Sequence, residues 1–209
     1  VALITATEYK TWAGISGTDL DTWLTAVLPQ AQDYAEAWCD RNFESAERTE
    51  YYDGHGTETI QLRSPPVTAV GSVSYRSGVS AGVATFTAFD SGTYWFDQTS
   101  GLLTRFSSFD VFPSTIDRYE RAVWPESVRG LKVVYTGGYG AGGGPAVPSG
   151  LKLAMFRMID FLRGQRGRDG SMQSETMGSY SYTRAALAAT VSDDRMYEFG
   201  FGQYRKGMA

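Results

Sequence analysis

Cysteine and histidine are almost missing from this 209-residue chain, which holds one of each, Cys39 and His55. A lone cysteine excludes an internal disulfide framework, and one cysteine with one histidine cannot fill the common Cys/His zinc patterns. Both shortages suit a reducing cytosol, and Cys39 is expected in the core, where free cysteines usually lie. Long apolar runs are lacking as well: no stretch approaches the roughly 18 apolar residues of a membrane span. Val1-Ala2-Leu3-Ile4-Thr5 shows no basic region ahead of an apolar one, so neither a secretion signal nor a membrane anchor is expected. Positive charge is not in excess. The net charge is −4, which argues against a nucleic-acid binder that grips phosphates.

The charge is unevenly spread. Residues 1–49 carry three basic and eight acidic groups, residues 50–147 seven and nine, and residues 148–209 nine and six. An acidic beginning and a basic end suit head-to-tail packing of copies, and they equally suit ordinary solvated surface. With 42% apolar and 14% aromatic residues, the chain can bury a sizeable core as one large domain or as one domain with an inserted subdomain.

Helix-patterned ends bracket a strand-and-turn middle. Thr5-Ala6-Thr7-Glu8 is a capping box, with Ile4 and Tyr9 placed as a hydrophobic staple. Gly14 stands where a short helix needs a left-handed C′ residue, and Thr18-Asp19 offers the N-cap of a second helix. That helix carries Leu20, Trp23, Leu24, Val27, Leu28, Ala31, Tyr34, Ala35 and Trp38 at 3-4 spacing. Because the stripe keeps its phase across Pro29, a kinked but continuous helix is predicted.

After Phe43 the period changes to that of strands. Tyr51-Tyr52 leads into the turn Asp53-Gly54-His55-Gly56, Thr59–Leu62 alternates, and Val67, Val70, Val73 and Tyr75 mark another strand. Thr93–Phe96 and Gly101–Thr104 read as a hairpin, and Leu131–Thr136 as the strongest strand, while residues 106–129 are an excursion with no assigned structure. A third long helix opens at Pro148-Ser149, with Ser149 a candidate cap and Leu151, Met155, Met158, Ile159 and Leu162 on one face. This face is expected to pack on Leu20, Trp23, Leu24, Val27, Tyr34 and Trp38. Residues 164–209 are too polar and glycine-rich to order alone.

The fold class that follows is α+β. Bundle helices come from residues 1–49 and 148–163, a small antiparallel β barrel or sandwich is inserted over 50–147, and residues 164–209 form an extended C-terminal arm. An arm of this kind predicts that removing residues 171–209 leaves thermal stability nearly unchanged.

Catalytic constellations are absent from the sequence. His55 sits between glycines in a turn with no nucleophile beside it, and Asp193-Asp194 would need further carboxylates to hold a metal. The glycine-rich run Gly137–Pro145 lacks the Lys and Ser or Thr of a phosphate loop and reads as a flexible link. No enzyme, metal or cofactor is expected. A glycan- or ligand-binding β module working through Tyr94 and Trp95 is the main alternative read from the residues, and a hydrolase built on His55 or Asp193-Asp194 is a weaker one.

Taken in order, the motifs resemble the head-tail connector proteins of long-tailed bacteriophages, also called adaptor or head-completion proteins. The resemblance is carried by Leu3–Ser16, by the helix leading to Trp38-Cys39-Asp40-Arg41-Asn42-Phe43, and by Glu50–Gly56 ahead of Pro65-Pro66-Val67. It continues through Tyr135-Thr136-Gly137-Gly138-Tyr139, Val147–Lys152 and Ser174–Tyr182. It implies a structural virion protein, made in the host bacterial cytoplasm and located in the neck. There it would form a homo-oligomeric ring, typically dodecameric, between the portal and a stopper or tail-completion protein. DNA would pass through the ring without sequence-specific binding. The resemblance further implies a portal-docking arm, here Arg163, Arg166, Arg168, Tyr180, Tyr182 and Arg184. Another neck or tail component is the nearest alternative.

Overall fold

The computed structural model describes residues 3–110, 118–140, 143–165, 174–177, 180–183 and 191–205, with the backbone alone for 108–110, 118–121, 174–177 and 180–183. Two compact units are present, Arg41–Ala146 and the flanking Ala2–Asp40 with Val147–Ala209.

The flanking unit is helical. Helix α1 (Ala6–Ala13) starts at the capping box: Thr5 Oγ1 accepts from the Glu8 amide and the Glu8 carboxylate accepts from the Thr5 amide. Ile4 and Tyr9, the staple pair, are both buried. Gly14 closes the helix in the left-handed region at φ 66°. Helix α2 (Asp21–Cys39) runs continuously through Pro29. It begins later than Thr18-Asp19 suggests, because Thr18 is spent on a turn, its carbonyl accepting from the Asp21 amide. Leu20 takes the N-cap position with no side-chain bond.

The buried face of α2 differs from the aromatic stripe. Leu24, Leu28, Ala31, Gln32, Ala35 and Cys39 are buried, whereas Leu20, Trp23, Val27 and Trp38 are half-buried and Tyr34 is 41% exposed. Small side chains at 31 and 35 let neighbouring backbone approach, so the large aromatics move to the flanks, where their polar atoms find partners. Tyr34 is therefore a surface residue and not a core one. In helix α3 (Ser149–Gln165), Leu151, Ala154, Met155, Phe156, Met158 and Ile159 are buried and Leu162 is half-buried. Ser149 lies inside the first turn; the carbonyl of Pro148 accepts from the Lys152 amide.

Residues 191–205 depart from the extended arm expected over 164–209. Helix α4 (Asp193–Phe199) is capped by Ser192 and closed by Gly200 at φ 104°, and a short 3-10 turn (Phe201–Tyr204) follows. Met196, Phe199 and Phe201 are buried, and both elements pack in the helical unit with α2 and α3. Residues 191–205 thus belong to the folded helical unit. The physical reason is local: three apolar side chains on two successive turns make an apolar stripe that the polar composition of residues 164–209 as a whole conceals.

In the Arg41–Ala146 unit the strands are β1 (Ala46–Gly54), β2 (Thr59–Gln61), β3 (Val67–Ser80), β4 (Val83–Ala88), β5 (Tyr94–Phe96), β6 (Leu102–Asp110), β7 (Arg118–Arg121) and β8 (Ser127–Gly137). One antiparallel sheet has the order β1-β8-β3-β4; the other has β2-β6-β5, with β7 also pairing β6. Neither closes into a barrel among the described residues. Their shared core takes Val73, Leu131, Val133 and Tyr135 from the first sheet and Ile60 and Leu103 from the second. The alternation of buried Leu131, Val133 and Tyr135 makes β8 the central strand. Within the unassigned excursion β6 and β7 pair antiparallel, with Phe109 opposite Tyr119, and Trp124 follows in the core with no exposed surface.

The start of the glycine run is built in and is not a free link. Gly138 has φ 113°, and a Cβ there would stand 2.4 Å from the Glu44 carbonyl oxygen, so only glycine fits.

Two last strands, β9 (Ser174–Met177) and β10 (Tyr180–Thr183), pair antiparallel, with Tyr180 opposite Met177 and Tyr182 opposite Glu175.

Candidate interaction surfaces

No group of three His, Cys, Asp or Glu side chains converges among the described residues, and no helix there is long and apolar enough to cross a membrane. His55 is exposed in the turn after β1. Asp193 is engaged by α2, accepting from Trp38 Nε1 at 2.7 Å, and Asp194 is exposed beside it. An open hollow lined by Pro66–Thr68, Gln98–Thr99 and Gly143–Pro145 contains no titratable side chain. These features offer nothing for acid–base or nucleophilic chemistry.

Buried polar groups instead lock strands together. Tyr52 and Tyr135 both donate their hydroxyls to Glu50 Oε2, the second at 2.9 Å. They also accept from the amides of Arg63 at 3.1 Å and Ser64 at 3.2 Å. Burial, reinforced by the neighbouring carboxylate, pushes both phenols well above the usual tyrosine range. The stretch leaving β2 is thereby tied to β1 and β8.

On the helical unit, α4 is fastened to α2 by side chains at the flank of the buried stripe. Tyr34 donates its hydroxyl to the Val191 carbonyl at 2.5 Å. Tyr197 meets Trp38 edge-on with ring centroids 5.1 Å apart, the Arg205 guanidinium lies over Trp38 at 4.7 Å, and Arg205 donates to the Tyr197 hydroxyl. Beneath these contacts the Cys39 thiol lies 4.0 Å from the Phe201 carbonyl. Sequence signals for this element exist, Ser192 as N-cap and Gly200 as C′, but its brevity hid them.

The residues assigned to portal docking are distributed along the chain between α3 and α4. Arg163 lies in the last turn of α3, paired with Asp160 at 2.7 Å. Asp160 also accepts from the Tyr9 hydroxyl at 3.3 Å, and burial first, with that carboxylate adding, pushes the phenol up to about 12. Tyr180 and Tyr182 lie on β10 at the register positions given above. Arg166, Arg168 and Arg184 lie outside the described residues.

The β unit exposes two kinds of apolar surface. Trp95 on β5 is 57% exposed, and Tyr94 beside it is half-buried with its phenol raised by burial and by the Asp90 carboxylate. Larger is the ribbon formed by the outer half of β3 with β4: β8 pairs with β3 only as far as Tyr75, and from Arg76 to Ser80 the partner is β4 alone. The ribbon turns at Ala81 (φ 50°) and Gly82 (φ 79°), a type I′ turn. Val79 and Val83, next to that turn, are each 68% exposed.

Known proteins supply the context. Residues 2–101 match the model of the head completion protein family. No curated protein matches the chain. Among solved structures, a chain of the neck of a native gene transfer agent particle, computed with C12 symmetry, is similar over 97% of this chain and 88% of its own length, at 16% identity and a TM-score of 0.55. A chain from the neck of the empty particle, computed with C6 symmetry, is similar over 90% and 80%, at 15% identity and 0.53. A chain of the native virion of that agent is similar over 99% and 91%, at 17% and 0.52. At such identities the likeness is one of fold.

Proposed function

We propose, from a chain whose residues 2–101 belong to the head completion protein family, that this protein is a structural component of a phage head-tail neck. It forms a ring beneath the portal, joins the DNA-filled head to the stopper or tail, and contributes to the DNA exit channel. The observation that carries this reading is the family match together with a neck-protein fold over 97% of the chain. Twelve copies is the proposed number, since a similar neck was computed with C12 symmetry. A net charge of −4 suits a channel that releases DNA, because it forgoes the counterion-release gain that holds basic proteins to phosphates.

Portal docking is proposed for Arg166, Arg168, Tyr180, Tyr182 and Arg184. Because α4 is anchored on α2, these residues sit between two attachment points in the chain and not on a free tail. Arg163 contributes less, being paired with Asp160. Electron microscopy of the purified protein with its cognate portal ring tests the reading: a second annular layer is expected, and a bare portal over a range of protein and salt concentrations moves the chain to another neck or tail position. In the same assay Arg166→Glu with Arg168→Glu and Arg184→Glu should remove the layer without changing the melting temperature. A layer that persists sinks the docking assignment alone.

A further inference from the structure

We infer that the free edge of β4 is a self-pairing site, where β4 of a second copy of this chain adds antiparallel across a two-fold axis. The inference concerns the free chain and does not depend on ring formation. β4 ends the order β1-β8-β3-β4 and pairs with β3 alone. Its outer backbone donors and acceptors therefore offer roughly 20 Å of strand edge, from six residues at the usual rise. Such edges are normally defended by charge, proline, a bulge in the edge strand or shortness. Here no charged residue and no proline occurs from Ser77 to Phe89, and the one irregularity in the pair lies in β3, between Arg76 and Gly78.

The other edges of the unit are defended. β1, at the opposite side of the same sheet, carries Glu47, Arg48 and Asp53, and the Arg48 guanidinium covers the carbonyls of Glu44, Ala46 and Gly137 at 2.7–3.1 Å. β2 and β5 are three residues each. Joining β4 of one copy to β1 of the next would set those β1 charges against a strand with no charge to meet them. An uncharged edge matches another uncharged edge.

The side chains fit this pairing. A two-fold axis normal to the sheet keeps faces in register, so residues of like parity meet. Centred on Thr85, it sets Thr85 against the partner's Thr85, Ala84 against the partner's Phe86 and Val83 against the partner's Thr87. The central threonine pair is a favourable cross-strand pair, and Phe86, packed on Tyr51 and Lys132 of its own sheet, meets only the partner's Ala84, a small side chain. The pairing also supports the outer half of a ribbon that, as two strands alone, is marginal in water.

Sedimentation of the full chain over a wide concentration range should show a reversible dimer. Thr85 and Thr87 are exposed, so Thr85→Lys with Thr87→Lys should leave the melting temperature unchanged while weakening the dimer roughly tenfold through opposed like charges. Thr49→Lys on β1 should leave it intact. Thr85→Cys should give a cross-linked dimer under mild oxidation, and Thr49→Cys should not. A chain that stays monomeric at all concentrations, or an association that ignores the β4 lysines, overturns the inference, as does pairing of β4 with another neck protein only.

Discussion

At the scale of the residue, the most legible position was Glu8. Its place three residues after Thr5 named the capping box, and the structure adds that the Lys152 ammonium lies 2.6 Å from the same carboxylate. Lys152 first, then the Thr5 amide, hold Glu8 below the ordinary carboxylate range. A carboxylate depressed in the folded state favours folding above its unfolded pKa, and this contribution is lost as pH falls through about 4 and down to the folded value. Glu8→Gln should therefore lower the melting temperature at pH 7 by a few degrees, with the gap to the unaltered protein closing toward pH 3. A gap that stays constant with pH would show that the ion pair contributes nothing. Tyr34 was misread because 3-4 spacing gives a face but not its centre. The predicted stripe holds both the aromatics and Leu24, Leu28, Ala31 and Ala35; centring it on the second set costs nothing in periodicity, and only the partner surfaces decide. Gly138 was misread for a related reason: a glycine required by a 2.4 Å approach looks in sequence like one that merely loosens a linker.

At the scale of the element, strands and long helices announced themselves by period, and the hairpin of β5 and β6 follows the reading of Thr93–Phe96 and Gly101–Thr104. The elements missed were α4, the turn after it, the outer half of β3 with β4, the pairing of β7 with β6, and the pair β9 and β10. A seven-residue helix carries too few periods to register, and its stability comes from burial of Met196, Phe199 and Phe201, not from propensity. Removing residues 191–209 should consequently destabilise the helical unit by on the order of 5 kcal/mol, three buried side chains at about 1.5–3 kcal/mol each. Calorimetry of the shortened chain checks this. An unchanged transition would return these residues to the extended arm that the composition suggests.

At the scale of the whole molecule, the layout of helical ends around a β middle was readable because the hydrophobic period changes near residue 43 and changes back near 149. The barrel was not distinguishable from open sheets, since closure depends on strand partners that alternation does not name. The β unit draws its core from residues 52–135 alone, so a polypeptide of residues 41–146 should fold by itself, with a β-type circular dichroism spectrum and one cooperative melting transition. A broad, non-cooperative melt would show that it needs the helices. The position of Met196, Phe199 and Phe201 carries a consequence for synthesis. A ribosome makes the β unit as one continuous run, so it is free to fold while translation proceeds. The helical unit waits for its last buried side chains, and is finished only when residue 205 has emerged from the exit tunnel. Contacts that need the finished helical unit therefore form only after synthesis, whereas the β4 edge, which lies in the β unit, is presented while the chain is still being made.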